Sequence, residues 1–517
     1  MITTAPLTER VQSRPHPKRP TPVRHRAVLV VTCLALATVT AAMASLNVAL
    51  PSIARDTHAS QTSLSWVIDA YSLVFAALLL AGGAIGDRFG RRRALVIGLA
   101  VFGVGSALAP FTTSVHALIA LRGVLGVGAA LVMPATLSTI TGTFPRERRA
   151  AAVSVWAAVA GASAVGGLLC SGLLLEQWSW RSIFVLNVVL AATAIVGTLA
   201  VVPSSADPDA PRIDVVGALG TVAAFGTLVY SIIEAPDHGW TAARTVGGLV
   251  AGLALLAAFV AWELRCDHPL IDPRLFARPA FSAGTLSIFL QFFAFFGFVF
   301  VAMQYLQLVR GDSALVAALS MLPMGLGMLS TSRAVPPLVA RIGQRACCVG
   351  GLVLMGIGFA VLAQLDGSSS YWLVVTGLWP LGVGMGLAMT PATAAVTDSL
   401  PPALQGVGSA MNDLARELGG ALGIAVLGSL LDSTYRGHLN LPGVPAPVEA
   451  QARSSLGVAA HLGNAVRPVA QHAFVDGMHV AVYAAAAVTC CAALAVAVLL
   501  RRPDISGAST DRAGSGQ

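Results

Sequence analysis

The stretch that decides the fold is Gly83–Arg93, which reads GAIGDRFGRRR. It contains one aspartate, four arginines and three glycines, and it lies between two long apolar runs. Each run is long enough to cross a bilayer, because a membrane-spanning helix needs about 20 apolar residues. We therefore predict that Gly83–Arg93 is a short, strongly positive turn at a membrane surface.

The composition of the whole chain indicates a protein that crosses the bilayer many times. Of its 517 residues, 56% are hydrophobic and only 11% are charged, and the mean hydropathy is +0.77. Soluble domains average about 25% charged residues, so a soluble fold would lack polar surface. No extended stretch shows the alternation of a membrane barrel strand. The net charge of +8 does not indicate a nucleic-acid partner, since the basic residues cluster at the ends of apolar runs.

Fourteen apolar segments meet the length criterion for membrane-spanning helices. The predicted fold class is therefore all-α integral membrane, with about fourteen transmembrane helices. The predicted segments are 27–50, 64–84, 94–112, 116–140, 150–173, 183–202, 214–234, 246–264, 281–308, 314–336, 346–365, 371–397, 406–431 and 477–500.

The polar segments between the helices predict the domain organisation and the topology. Two of them, 203–213 and 265–280, divide the helices into six, two and six. Most arginines lie on the side of the two tails, which the positive-inside rule makes cytoplasmic. The segment 433–475 lies outside and is interpreted as a loop, with a lid as the alternative. The predicted divisions are a cytoplasmic tail 1–26, an N-terminal six-helix bundle 27–202, two extra helices with their linkers 203–280, a C-terminal six-helix bundle 281–500 and a cytoplasmic tail 501–517.

The charged turn carries a resemblance to a known family. Its pattern GxxxDRxGRR resembles the signature between the second and third helices of the major facilitator superfamily. With the residues that follow along the chain, it is similar to the fourteen-helix drug:proton antiporter family. The signature residues, which we predict to form the inner gate, are Gly83, Asp87, Arg88, Gly90, Arg91 and Arg92. Further matching stretches are Asn47–Pro51, Trp66–Tyr71, Glu176–Arg181, Asn187, Pro273–Phe276 and Glu417–Gly423.

Arg122 lies about seven residues inside the fourth predicted helix, in the sequence RGVLGVGAA. Placing an arginine at the centre of a membrane helix costs at least about 2.5 kcal/mol, so it must face a protein partner or a water-filled cavity. The resemblance implies a role in proton transfer. The alternative is an arginine that extends to the outer membrane surface.

The fifth predicted helix should contain the family motif GxxxGPxxGG, over residues 163–172. Gly167 and Gly172 match this motif, whereas Ser163, Leu168 and Ser171 depart from it. In the family the motif is thought to bend the helix and to prevent leakage. The missing proline favours the alternative of an uncoupled facilitator.

The thirteenth predicted helix carries the densest charge inside the membrane, namely Asp413, Arg416 and Glu417. Their spacings of three and four residues place them on one helix face. Glu417 lies roughly 16 Å along the helix axis, near the centre of a core about 30 Å thick. A buried carboxylate that binds either a proton or a cationic substrate is the simplest element of an antiporter. The alternative is a salt bridge that only holds the helix in the bundle.

Asp69 is a further acid, about one and a half turns into the second predicted helix, with an acid at the aromatic interface as the alternative. Many family members also carry an acid in the first helix, where this chain has Ala42. The proton and cation roles therefore rest on Asp69, Asp413 and Glu417. This departure favours a substrate that is narrower in range or less charged than a dication.

The function implied is proton-coupled efflux of a hydrophobic or amphiphilic drug or antibiotic across the bacterial cytoplasmic (inner) membrane. The expected partners are that small molecule, protons and membrane lipid. No nucleic-acid partner is expected, and the protein is expected to be a monomer. The proton gradient takes the place of a cofactor, and no metal site is expected. An enzyme is not expected, because the sequence has no nucleophile–base arrangement or phosphate loop. The alternatives are export of a lipid or siderophore-like metabolite, or an uncoupled facilitator. We further predict that Asp87 meets the N-terminus of the thirteenth helix at the inner gate.

Overall fold

A computed structural model gives the fold of the chain. It describes residues 22–204, 214–267, 269–332, 334–401 and 405–500. The predicted tail 501–517, most of the tail 1–26 and most of the linker 203–213 lie outside these described residues.

The described residues contain 14 helices that are long and apolar enough to cross a membrane, which confirms the predicted fold class. We number them α1 to α14. They are α1 His25–Thr57, α2 Gln61–Phe89, α3 Arg91–Phe111, α4 Val115–Thr143, α5 Glu147–Gln177, α6 Arg181–Val201, α7 Val215–Ile233, α8 Ala243–Glu263, α9 Pro279–Val309, α10 Ala314–Thr331, α11 Gln344–Leu362, α12 Tyr371–Asp398, α13 Val407–His438 and α14 Arg467–Leu499.

Several helices extend beyond their predicted ends. The helix that contains α1 begins at Pro22, five residues before the predicted start, so the predicted tail 1–26 is not entirely outside the helix. α13 continues to His438 and α14 already begins at Arg467. Loss of hydropathy marks the edge of the hydrocarbon core, whereas a helix continues for as long as its backbone hydrogen bonds are made. The predicted boundaries at these ends were therefore wrong.

The exterior segment is also more ordered than a loop. It contains two short helices, Ala446–Ser454 and Leu456–Ala459. The Tyr435 hydroxyl donates a hydrogen bond to the Ala452 carbonyl at 2.7 Å, which ties the first short helix to α13. The Ser455 hydroxyl donates to the Ala59 carbonyl at 3.1 Å, which ties the segment to the α1–α2 turn. The interpretation of 433–475 as a loop is corrected accordingly.

The charged stretch Gly83–Arg93 is the end of one helix and the start of the next. α2 ends at Phe89 and α3 begins at Arg91, so Gly90 alone makes the turn, with φ at 109°. Only glycine adopts this backbone conformation readily. Gly83 lies inside α2 and does not form part of the turn, contrary to the prediction. In the second half of the chain, Gly343 has a φ of 86° and likewise joins two helices on its own. They are a short helix, Val335–Ile342, and α11.

α10, which was predicted over 314–336, crosses the membrane as two helical parts joined at Met321. It consists of Ala314–Ser320 and Leu322–Ser332, and the Met321 amide donates to the Ala318 carbonyl in a tighter turn. Pro323 explains the break, because proline has no amide proton and its ring clashes with the carbonyl four residues before it.

The helices pack as two bundles with a hairpin between them in sequence. α1–α6 pack on one another, as do α9–α14, while α7 packs on α8 and also touches α2 and α13. Glycines allow close approach at several crossings. A Cβ on Gly126 of α4, for example, would lie 2.6 Å from the Tyr71 carbonyl oxygen of α2. Helices in lipid have no hydrophobic driving force for association, so they depend on close van der Waals packing, which small residues at such crossings allow.

The two bundles are joined on the side of the membrane away from the chain ends, which we call the distal side. Gln307 of α9 donates to the Val48 carbonyl of α1 at 2.9 Å. The Leu315 amide of α10 donates to the Glu176 carboxylate of α5 at 3.3 Å. These bonds close the distal ends of the bundles against each other.

Candidate functional site

Three charged residues of α13, Asp413, Arg416 and Glu417, form one cluster inside the protein. Arg416 Nη1 lies 3.4 Å from Asp413 Oδ1, and Arg416 Nη2 lies 3.9 Å from Glu417 Oε1. Glu417 is 2% exposed, and its Oε2 atom has no hydrogen-bond partner in the structure. Two acids against one arginine leave one negative charge when all three side chains are ionised. The arrangement can therefore accept one proton, or one cation, and become neutral.

Aromatic rings of α9 cover this cluster. The guanidinium carbon of Arg416 lies 5.3 Å from the centre of the Phe292 ring, a cation–π distance. Phe292, Phe295 and Phe296 form a mutual cluster with ring centres 5.0–6.1 Å apart. A Cβ on Gly420 would lie 2.8 Å from Phe296, so this glycine lets the ring approach α13.

These rings were not predicted from the sequence. The signal that could have found them is the run FLQFFAFFGF at 289–298, which places aromatic rings around much of one helix. A negative charge beside an apolar surface can attract a lipophilic cation, and aromatic rings can stack on a flat ligand. The combination suits an aromatic or amphiphilic ligand.

Asp69 and Arg122 form a second buried group, between α2 and α4. Arg122 is 1% exposed, its Nε donates to the Val67 carbonyl at 2.8 Å, and its guanidinium carbon lies 4.4 Å from the centre of the Tyr71 ring. Asp69 is 0% exposed, and neither carboxylate oxygen has a hydrogen-bond partner among the described residues. The structure therefore contradicts two alternatives, an arginine that extends to the membrane surface and an acid at the interface.

The Tyr71 hydroxyl fixes this second group against α1 by donating to the Val39 carbonyl at 3.0 Å. Among the described residues, no hydrogen bond joins the side chains of Asp69 and Arg122. In the described part of the chain, the Arg122 Nη2 atom also has no hydrogen-bond partner. Unpaired buried polar groups are costly, and such sites are candidates for function.

The antiparallel packing of α2 and α13 relates the two groups in depth. A Cβ on Gly428 would lie 3.1 Å from Ser65 Oγ. Counting inward from this contact places Asp69 level with Ile424. Glu417 lies seven residues further from the distal side, which is about 10 Å at 1.5 Å per residue. The two acids therefore lie at different depths along the same seam.

The two matching glycines of α5 lie at close helix crossings. A Cβ on Gly167 would lie 2.5 Å from the Ala41 carbonyl oxygen of α1, and a Cβ on Gly172 would lie 2.9 Å from the Leu315 Cα of α10. Gly172 is therefore part of the contact between the bundles. α5 forms a single helix through Leu168, the position where the family motif has proline.

The side chains of the predicted inner gate bond within their own bundle. Arg91 Nε lies 3.0 Å from Asp87 Oδ1, and Arg91 Nη1 donates to the Ser138 carbonyl of α4 at 3.0 Å. Arg92 donates to the Leu199 carbonyl of α6 at 2.6 Å, and Arg88 lies on the ring of the exposed Phe89. The chain just before α13, 402–404, lies outside the described residues. The contact of Asp87 with that helix end stays a prediction.

A third polar cluster lies at the distal ends of α2 and α13 and was missed. It consists of Thr62, Asp237, Asp432 and Arg436. The last two residues lie just beyond the predicted end of the thirteenth helix at 431. Sequence analysis therefore left Asp432 outside the helix and assigned Arg436 to the exterior segment 433–475, although their spacing of four residues is typical of a helix face.

Two six-helix bundles with buried charges at their seam define a multi-pass membrane transporter. The family model described as "Major Facilitator Superfamily" matches residues 32–424. The chain belongs to the major facilitator superfamily.

The chain is similar to curated proteins over most of its length. It is 33% identical over 461 residues to the multidrug resistance protein Stp of Mycobacterium tuberculosis, which covers 85% of this chain and 86% of that protein. It is 34% identical over 495 residues to the multidrug efflux pump LfrA of Mycolicibacterium smegmatis, which covers 93% of this chain and 97% of that pump.

A solved structure supports the fold. The bacterial homologue of the human lysosomal transporter Spinster, in an inward-facing and unoccupied conformation, aligns with a TM-score of 0.66 at 16% identity. The alignment covers 93% of this chain and 98% of that one. The family and the fold together indicate a transporter.

Proposed function

We propose that the protein is an antiporter that exports hydrophobic or amphiphilic drug-like compounds in exchange for protons. The observation that carries the proposal is the buried α13 cluster, in which Glu417 has an unpartnered carboxylate oxygen and Arg416 lies against Phe292 of the three-ring cluster. Support also comes from the similarity to Stp and LfrA, which are named a multidrug resistance protein and a multidrug efflux pump.

In the proposed membrane orientation both chain ends are cytoplasmic and the membrane is the bacterial cytoplasmic membrane. The positive charge of the Gly83–Arg93 stretch supports this orientation. The distal side is then external, and the bundles are closed against each other there. The substrate enters from the cytoplasmic side and lies against the rings of α9.

The proton acts on the charge of the α13 cluster. With Asp413 and Glu417 ionised, the cluster has a net negative charge and favours a proton or a cationic group of the substrate. Binding of the proton neutralises the cluster and so weakens its attraction for the substrate, which can then leave the site. Each proton that moves inward supplies about 2.3 kcal/mol per 100 mV of membrane potential and about 1.4 kcal/mol per pH unit.

The remaining partners follow from this scheme. Protons and the membrane lipid are partners besides the substrate, and the functional unit is a monomer. The proton gradient replaces a cofactor, and the protein performs no covalent chemistry on its substrate.

The test uses purified protein in liposomes with an imposed pH gradient and ethidium as the first probe, followed by neutral aromatic dyes. We expect the wild type to accumulate the probe against its gradient, and collapse of the pH gradient with a protonophore should stop accumulation. Unchanged accumulation after collapse would overturn the proposal. Empty liposomes report the passive movement of each probe.

A further inference from the structure

The turn between the two extra helices crosses the seam between the bundles at the distal side. We call residues 232–240 the distal strap. On the side of the first bundle, the Trp66 indole of α2 donates to the Glu234 carboxylate at 3.0 Å. The Thr62 hydroxyl of α2 donates to Asp237 Oδ2 at 2.7 Å. Two side chains of the strap therefore hold α2.

The same strap also holds the second bundle. The Asp237 Oδ1 atom accepts a hydrogen bond within an ion pair from Arg436 of α13. The Trp240 indole donates to the Ser433 hydroxyl at 2.9 Å, and the Ser429 hydroxyl donates to the Ile232 carbonyl at 2.7 Å. Three consecutive turns of α13 are thus bound to the strap.

Asp237 is the central residue of this arrangement, because its two oxygens bind different bundles. The direct polar contacts of Thr62 across the seam are longer, since its Oγ1 lies 3.5 Å from Asp432 Oδ2 and 3.5 Å from Arg436 Nη2. Asp432 instead holds Arg436 in place, with Oδ2 2.9 Å from Nη2 and Oδ1 3.0 Å from Nε. Charge-assisted hydrogen bonds are roughly twice as strong as neutral ones, so the carboxylate of the strap carries most of the polar closure here.

An apolar cluster continues the strap towards the membrane centre. Leu73 of α2, Val229 and Ile233 of α7, and Ala425 of α13 are buried against one another. α7 therefore covers the seam between α2 and α13 along its outer half. When the seam widens, this apolar surface and the polar contacts above it must separate from one of the two bundles.

We propose that the distal strap holds the two bundles closed at the distal side, and that this is the role of the two extra helices. In transporters built from two bundles, access alternates by rocking of one bundle against the other. Opening of the distal side then requires that Asp237 release either Thr62 or Arg436. The strap works on the conformational equilibrium alone, so it is independent of the substrate and of proton coupling.

The test measures the distal separation of the bundles directly by pulsed electron paramagnetic resonance. The full chain, with its seven cysteines replaced, carries spin labels at the exposed distal positions 113 and 368. Asp237→Ala removes both bonds of the strap carboxylate. We expect the ratio of long to short distances to rise at least about tenfold, because a tenfold change corresponds to the free energy that one such hydrogen bond contributes. Neither substrate nor gradient is present, so the result does not depend on the proposed function.

A matched control comes from another distal aspartate. Asp56 accepts from the Trp180 indole at 3.1 Å and lies 3.8 Å from Arg181, so both of these partners belong to its own bundle. Asp56→Ala should leave the distance distribution unchanged. If Asp237→Ala prevents folding, Asp237→Asn tests the same point, because it keeps the side-chain shape and loses the ion pair with Arg436. A folded Asp237 variant with the wild-type distribution, or an equal response to Asp56→Ala, would overturn the proposal.

Discussion

Replacement of Glu417 by glutamine should remove proton coupling while leaving the shape of the site intact. The side chain is buried, and one of its oxygens has no partner, so the amide introduces no steric conflict. In the wild type, Asp413 and Glu417 face the single charge of Arg416, which leaves one negative charge. After Glu417→Gln, Asp413 and Arg416 balance each other. The site then has no excess charge for a proton to neutralise.

The magnitude follows from this charge balance. One proton exchanged for one neutral substrate gives about 1.4 kcal/mol per pH unit, which corresponds to a tenfold accumulation ratio. The wild type should therefore accumulate a neutral dye about tenfold for each pH unit across the membrane. Glu417→Gln should reach a ratio of about one under the same gradient.

The assay compares gradient-driven accumulation with exchange at equilibrium in the same liposomes. Glu417→Gln should lose accumulation and keep exchange of labelled for unlabelled dye, because the rings of α9 are unchanged. Glu449→Gln is the matched control, since Glu449 pairs with Arg453 at 2.9 Å outside the membrane-spanning helices. A Glu417→Gln protein that is folded and still accumulates the dye tenfold refutes the charge-balance reasoning.

Three further predictions concern the buried pair and the glycines. In a double-mutant cycle on thermal unfolding, Asp69→Asn and Arg122→Gln should couple by about 0.5–3 kcal/mol, as interacting neighbours do; independent effects would contradict a pairing in the folded protein. Gly167→Ala should lower the free energy of unfolding by about 1–3 kcal/mol because its Cβ meets α1. Gly166→Ala, with nothing within 4 Å of its Cβ, should stabilise the helix by up to about 1 kcal/mol, and equal effects at both glycines would exclude close packing as the cause. Gly90→Ala should cost about 1–3 kcal/mol in unfolding experiments, because its φ of 109° strains other residues; an unchanged melting temperature would argue against this.

The sequence predicted most of the fold because its strongest pattern, long apolar runs, reports directly on membrane crossing. It also predicted the α13 cluster, since residues three and four apart on a helix are always neighbours. The ends of helices were predicted less well. Arg436 and the other polar residues at the distal end of α13 remain helical after hydropathy has fallen, so composition assigned them to a loop.

Contacts between distant parts of the chain could not be predicted from local spacing. Asp69 and Arg122 lie on different helices, and their proximity depends on how α2 packs on α4. Asp237 lies in the turn between the extra helices, and the neighbouring sequence does not indicate that its side chain contacts both bundles. The place of Phe292 beside Arg416 likewise depends on the crossing of α9 and α13, which glycines such as Gly420 make possible.

The most direct test of the proton antiport itself is to let the substrate drive the proton. Liposomes are loaded with substrate and a luminal pH indicator and are then diluted into substrate-free buffer at equal pH, with valinomycin and potassium to hold the membrane potential at zero. Antiport predicts that substrate leaving the lumen brings protons in, so the lumen acidifies, and that Glu417→Gln abolishes the pH change. Exit of the substrate through the wild-type protein with no acidification of the lumen would contradict proton-coupled export.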